Sequence, residues 1–452
     1  MKNRIVALFV ALAMLASVSF TFAQEKTIAQ LAAETPELST LLALVEAAGL
    51  ADVLNSTDVQ FTVFAPTNDA FAALPDFVVK YVTSDVELLT AVLTYHALPA
   101  AVTSDAVSPM MAATVNGAEL TIDVVDGKVM VDQATVVTAD IVASNGVIHI
   151  IDSVLVPPIE LPEVIPADVT GDIIIAGSST VYPVTQAVAE EFALEGFTGE
   201  ITVDNIGTGA GFERFCAAES PSDISNASRA IRQSEVEACA NNNQRVPVGF
   251  RVGDDGLAIV VNPNNDFANS LTLEQVKLAF STAVTWADVD PSFPAEPIVR
   301  FSPGTDSGTF DYFVEAVLGR DQSLILGASN LNLSEDDNVL QDGVANNLYA
   351  IGYYGYAYVA ENPGLVKVVA VNDVLPTPET VNGGTYPLAR PLYIYTAASV
   401  MAAKPQVGDF IDYYLTRVPE ITPKVGYFLP NPFEFNISKL VLLALKADTS
   451  GE

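Results

Sequence analysis

The sequence predicts a multi-domain chain: a small α+β module followed by a larger α/β unit built of two lobes. Three observations carry that reading. Residues 25–157 open with helical stretches and close with short alternating runs. A seam at 156–171, VPPIELPEVIPADVTG, holds Pro157, Pro158, Pro162 and Pro166 and shows no helical period. It reads as an extended, semi-rigid linker over 158–169. Beyond it, strand-like and helix-like stretches alternate through 170–445, the pattern of layered α/β folds. That length is more than one core fills, which is why two lobes are expected.

The N-terminus has a character of its own. Lys2 and Arg4 precede an almost wholly apolar run from Ile5 to Phe22, and Thr21-Phe22-Ala23 approximates a small-x-small cleavage site. Residues 1–23 therefore read as a signal peptide, and the mature chain as exported, periplasmic or extracellular, and soluble. An uncleaved anchor is the alternative. A formal net charge of -35 argues against nucleic acid or an anionic membrane surface as a partner. Export places the two cysteines, Cys216 and Cys239, where disulfides persist. A bond between them would close a short loop and contribute about 3 kcal/mol; two buried thiols are the other reading.

In 25–157, TIAQLAAETPELSTLLALVEAAGL has a helical period. TVNGAELTIDVVDGKVMVD reads as a hairpin turning at Asp126-Gly127, and ADIVASNGVIHIIDSVLVP as a strand pair around Asn145-Gly146. The only histidines, His96 and His149, lie in the apolar runs TYHAL and VIHII and read as packed core residues. FTVFAPTNDAFAALP, the pair Tyr95-His96, and ADIVASNGVIHIIDSVLVP resemble the two signature segments and central YH motif of a fasciclin (FAS1) domain. The resemblance spans nearly all of 25–157. It implies an adhesion or protein-interaction module of unknown partner.

In the second unit, DIIIAG, EITVDNIG, VGFRVGDDGLAIVVN, PIVRFSP, YAIGYYGYAYV and LVKVVAV read as strands in mainly parallel sheets. Three loops there share one design: each follows a strand, is made of small hydroxyl or glycine residues, and opens a helix. They are SST at Ser178–Thr180, TGAG from Thr208, and SGT at Ser307–Thr309. A helix N-terminus offers unpaired N–H donors and partial positive charge. Glycine lets a ligand approach the backbone and Ser or Thr adds a hydroxyl donor. Any one of these loops alone reads as an N-cap. Three in one α/β unit point to a ligand site at converging strand ends. GTGAGF places Phe212 where a dinucleotide loop needs glycine, and no GxxxxGK[ST] occurs, so a small anion is expected rather than a nucleotide. Arg229 and Arg232, in DISNASRAIRQSE, supply scarce positive charge; Arg229 is the favoured oxyanion ligand.

AGSSTVYPV, NIGTGAGFERFC, DISNASRAI, GTDSGTFDYF and SEDDNVLQDGVANNLYAIGYYGYAY together resemble the phosphate-binding subunit of the bacterial ABC phosphate importer. That family is a class II periplasmic-type solute-binding protein. The resemblance runs from 170 to about 440. It implies two α/β lobes joined by crossing strands, with inorganic phosphate held between them and passed to the importer's transmembrane subunits. The implied ligand contacts are Ser179, Thr180, Thr208, Asn226, Arg229, Ser307, Gly308 and Thr309. No catalytic residue, metal or cofactor is implied.

Two departures from the pattern stand out. Asn226 occupies a position where many members carry Asp, whose carboxylate accepts a hydrogen bond from the proton on HPO4 and repels fully ionised sulfate. Asp306 is the candidate substitute for that acceptor. Pro303 stands where some members place Arg, leaving Arg229 as the main cation. An exported phosphatase is the enzyme alternative, but residues 158–452 contain no histidine for a metal cluster or a Ser-His-Asp set. A carboxylate-only metal site at Asp336 and Asp337 competes with a solvated loop. The remaining alternatives are a receptor for another tetrahedral oxyanion such as sulfate, and an adhesion or matrix protein with a phosphate-sensing domain.

Overall fold

The computed structural model describes residues 26–450, apart from 126, 220, 306 and 335. The expected signal peptide at 1–23 and the candidate acceptor Asp306 lie outside the described residues. The chain divides into two units, 1–74 with 85–155, and 75–84 with 156–452.

The first unit is built on seven strands: β1 (Phe61–Pro66), β2 (Ala97–Leu98), β3 (Met110–Ala113), β4 (Glu119–Val125), β5 (Lys128–Val131), β6 (Ala134–Ala143) and β7 (Gly146–Ile151). Their spatial order is β2-β1-β7-β6-β5-β4-β3. Both expected strand pairs form: β4 with β5 across 126–127, and β6 with β7 from the Ala143–Gly146 register pair. Parallel neighbours β1 and β7 are buried at every position. Covering both faces of a strand requires a continuous apolar run, which FTVFAP and GVIHII supply. The helices Ile28–Glu34 and Ser39–Ala47 stand where the helical period is read. Both histidines are satisfied within this unit. His96 Nδ1 lies 2.7 Å from the Val92 carbonyl, while its Nε2 accepts from Leu155 N–H at 2.9 Å. Burial lowers its pKa to about 4, so the ring is neutral. His149 Nε2 lies 2.9 Å from the Val102 carbonyl.

The second unit has ten strands: β8 (Ile173–Gly177), β9 (Ile201–Asn205), β10 (Ile224–Ala227), β11 (Val248–Val261), β12 (Ser270–Leu271), β13 (Val299–Pro303), β14 (Leu331–Ser334), β15 (Ala350–Gly355), β16 (Lys367–Val371) and β17 (Ala389–Thr396). The main path runs β14-β13-β15-β11-β17-β10-β8-β9, with β16 and β12 set beside β11. Two strands make one path of two lobes. The long β11 pairs with β17 over Val248–Gly256 and with β15 over Leu257–Val261, so it leaves one lobe and enters the other. Strand β17 makes the return crossing. The first lobe gathers β8, β9 and β10; the second gathers β13, β14, β15, β16 and β12.

Two expectations need correction. The sheets are mixed rather than mainly parallel, because the crossing strands run antiparallel to their neighbours. YAIGYYGYAYV is not all strand: β15 ends at Gly355 and Tyr356–Glu361 is a helix. The proline-rich segment is extended apart from a short 3-10 turn at Pro166–Asp168. It is anchored rather than free. Ile159 N–H donates to Asn436 Oδ1 at 3.2 Å, and Lys439 Nζ donates to the Ile159 carbonyl at 3.1 Å. Among the described residues, no helix is long and apolar enough to cross a membrane. Asp336 serves as an N-cap, its carboxylate accepting from Asn338 N–H at 2.9 Å.

Candidate functional site

The three sequence-predicted loops come together. β8 ends at Gly177, whose φ of +143° suits glycine, and a Cβ there would lie 2.2 Å from the Asn226 carbonyl. That close approach lets Ser178 N–H donate to Asn226 O at 2.9 Å. Thr180 N–H then donates to Ser178 Oγ at 3.2 Å, turning the chain into the helix Tyr182–Leu194. The second loop is stitched to the first: Ile206 and Gly207 N–H donate to the Gly177 carbonyl at 3.0 and 2.8 Å. Gly207, at φ +83°, opens the helix Thr208–Phe215. At its head, Thr208 Oγ1 lies 3.1 Å from Ser228 Oγ and accepts from Ser228 N–H at 3.2 Å.

The third loop comes from the other lobe. Ser307 caps the helix Gly308–Ala316, its Oγ accepting from Thr309 N–H at 3.2 Å. A Cβ on Gly308 would lie 2.5 Å from Ser179 Oγ and 3.0 Å from Thr180 Oγ1. The two walls of the cleft therefore touch, and a side chain at 308 would displace the Ser179 and Thr180 hydroxyls. Ser179, Thr180, Gly308 and their flanking hydroxyls form one cluster drawn from both lobes.

Two buried polar atoms, one in the first loop and one on the neighbouring strand β10, are orphans. Thr180 is 4% exposed and Asn226 1% exposed. Among the described residues, neither Thr180 Oγ1 nor Asn226 Nδ2 has a hydrogen-bond partner. Buried donors without partners are costly, by about 1–3 kcal/mol each. The other end of the Asn226 amide is occupied: Oδ1 accepts from Thr185 Oγ1 at 3.1 Å, and Thr185 is 3.0 Å from the Tyr414 hydroxyl. Asn226 thus has an unpaired donor in Nδ2, while one lone pair of its Oδ1 is used by Thr185.

The cations are already paired. Arg229 makes a two-pronged bond to Glu235 at 2.7 and 2.8 Å and lies 5.6 Å from the Phe212 ring centre. Burial raises the Glu235 carboxyl, but hydrogen bonds from Arg229 and the Arg232 N–H outweigh it and hold the group below its ordinary range. Arg232 is half-exposed and faces Glu315 of the other lobe at 4.0 Å. Arg300, on the strand leading into the third loop, is fully buried and donates to the carbonyls of Ala279 and Ser329 at 2.6 Å. Sequence reasoning missed Ser228, Thr185 and Tyr414. Ser228 sits inside the SNASR motif and was within reach. Thr185 and Tyr414 are 229 residues apart and carry no local signal. Cys216 and Cys239 are disulfide-bonded.

The profile of the fasciclin domain matches residues 36–157, and that of the PBP superfamily domain matches residues 163–418. The chain belongs to the PBP superfamily and carries a fasciclin domain at its N-terminus. Protein SphX of Synechocystis sp. is 41% identical over 288 residues, 61% of this chain and 83% of that protein. Phosphate-binding protein PstS of Staphylococcus saprophyticus is 35% identical over 266 residues, 58% of this chain and 79% of that protein. The structure of a possible phosphate binding protein from Planctomyces limnophilus aligns at TM-score 0.56 and 37% identity, covering 62% of this chain and 99% of that one.

Proposed function

We propose that the second unit is a receptor for inorganic phosphate, which it holds between its lobes through Ser179, Thr180, Thr208, Asn226, Arg229, Ser307, Gly308 and Thr309. The observation that carries this reading is the pair of buried, unpartnered donors at Thr180 and Asn226, set among three glycine-and-hydroxyl loops from both lobes. A phosphate ion offers several acceptor oxygens, and so satisfies such donors without needing a free cation. Contacts drawn from both lobes favour the closed state on binding, so hinge closure couples to occupancy. The relative named phosphate-binding protein PstS supports phosphate as the anion. Delivery to the transmembrane subunits of an ABC importer follows from the same reading. The fasciclin domain serves as an adhesion or interaction module on an exported, extracytoplasmic protein. The function is binding, not catalysis.

Asn226 favours a second reading. An uncharged residue whose oxygen is taken by Thr185 does not repel a fully ionised oxyanion, so sulfate is a competing ligand. Calorimetric titration with phosphate in the presence of excess sulfate separates the two. Tight phosphate binding that survives sulfate supports the first reading; sulfate binding with none of phosphate overturns it.

A further inference from the structure

The crossing strands carry a charge pair aimed at the third loop. Asp255 of β11 and Arg390 of β17 are direct register partners, 3% and 8% exposed. Arg390 Nε and Nη2 both lie 2.9 Å from Asp255 Oδ2. The same Nη2 donates to the Gly308 carbonyl at 3.1 Å, and the guanidinium rests 4.2 Å from the Tyr312 ring centre. One buried side chain thus joins both crossing strands to the first turn of the helix Gly308–Ala316.

The Gly308 carbonyl and the Thr309 N–H belong to one peptide plane. Holding the oxygen fixes the direction of the N–H at the opposite edge, the donor that meets Ser307 Oγ at 3.2 Å. A cation at the oxygen also polarises the peptide and strengthens that N–H as a donor. Asp255 in turn holds the guanidinium, and the flat face against Tyr312 restricts it to one orientation. A lysine keeps the charge but cannot bond Asp255 and Gly308 with one planar fork.

We propose that Arg390, clamped by Asp255, is the positioning residue of the second-lobe wall: it ties the Gly308–Thr309 peptide to the hinge and so holds the Thr309 N–H and its acceptor Ser307 Oγ in place at the anion site. The proposal rests on the phosphate reading above. It gives a role in the site to a second arginine, 81 positions beyond Thr309, where Arg229 was expected as the main cation.

The test is calorimetric titration of the full chain with inorganic phosphate, using wild type, Arg390→Lys, Arg390→Gln, Asp255→Asn and the double variant Asp255→Asn/Arg390→Gln. Thermal unfolding of each without phosphate, and hydrogen exchange at the Thr309 amide, are measured alongside. We expect Arg390→Lys to keep its unfolding temperature while phosphate affinity falls roughly tenfold, the scale of one charge-assisted hydrogen bond, and Thr309 exchange to quicken. The double variant should bind no worse than the weaker single variant, because the pair acts as a unit. Wild-type binding with unchanged affinity in Arg390→Lys and Arg390→Gln overturns this proposal alone. So does an affinity loss that follows the loss of unfolding temperature with Thr309 exchange unmoved. No phosphate binding by the wild type overturns the phosphate reading and this proposal with it.

Discussion

Thr180 sets the residue scale, because its hydroxyl is buried yet bonded to nothing among the described residues. Thr180→Val removes that hydroxyl at nearly constant volume. It should cost about 1.5–3 kcal/mol of phosphate binding, tenfold or more in affinity, and leave the phosphate-free unfolding temperature unchanged or higher. Titration calorimetry and a thermal melt check both halves. Arg229→Ala strands Glu235 without its partner and should weaken phosphate binding far more than Arg232→Ala, whose side chain is half-exposed. Equal losses from the two would refute the assignment of Arg229. Asn226→Asp should raise the preference for phosphate over sulfate in competition titrations, since the new carboxylate accepts a hydrogen bond from the P–OH of HPO4 and repels sulfate. In the fasciclin domain, His96 gives a pH signature of known sign. Its folded pKa of about 4 lies below the unfolded value of 6.5. Above pH 6.5 both states are neutral and nothing changes. Between 6.5 and 4 the unfolded chain takes up a proton that the folded one excludes, so stability falls by an amount on the order of 3 kcal/mol, complete below pH 4. The imidazole resonances should show a neutral ring down to about pH 4. The hydroxyls and glycines of the site were legible because each sits where a strand hands over to a helix. The pairing of Arg229 with Glu235 was not, since a nearby carboxylate and a bound anion leave the same trace in a sequence.

At the level of elements, the disulfide and the third loop matter most. Cys216 follows the helix Thr208–Phe215 and Cys239 lies in the helix Gln233–Asn242, so their bond brackets the segment bearing Asn226 and Arg229. With a separation of 23 residues, losing the bond in a Cys216→Ser/Cys239→Ser variant should cost about 3 kcal/mol in denaturant unfolding. Trp286, the single tryptophan and fully buried, provides the fluorescence signal in the other lobe. Gly308→Ala places a methyl against Ser179 and Thr180 and should oppose closure of the cleft, weakening phosphate binding about tenfold with little effect on phosphate-free stability. Strands such as β1, β7 and β8 could be read directly from their apolar runs. The end of β15 at Gly355 could not, because the YAYV that follows suits a strand by residue type yet opens the helix Tyr356–Glu361. Nor could β17, whose ARPLYIYT lies far in sequence from its partner β11.

Across the whole molecule, a chain of formal charge -35 is read as an anion receptor. The two facts are compatible because buried, oriented donors act at short range, while the surface charge is screened over about 8–10 Å at physiological salt. The two-module organisation was legible from the change in pattern across the proline-rich seam; crossing strands were implied by the family resemblance, and which strands cross became known only from the pairing of β11 and β17. The central claim is that the cluster of Thr180, Asn226, Gly308 and Thr309 binds phosphate. It is tested most directly by titration calorimetry of the full chain, stripped of bound anion, with inorganic phosphate in excess sulfate. The account predicts one saturable site per chain that Thr180→Val weakens tenfold or more. Absence of phosphate binding, or binding that Thr180→Val leaves unchanged, would contradict it.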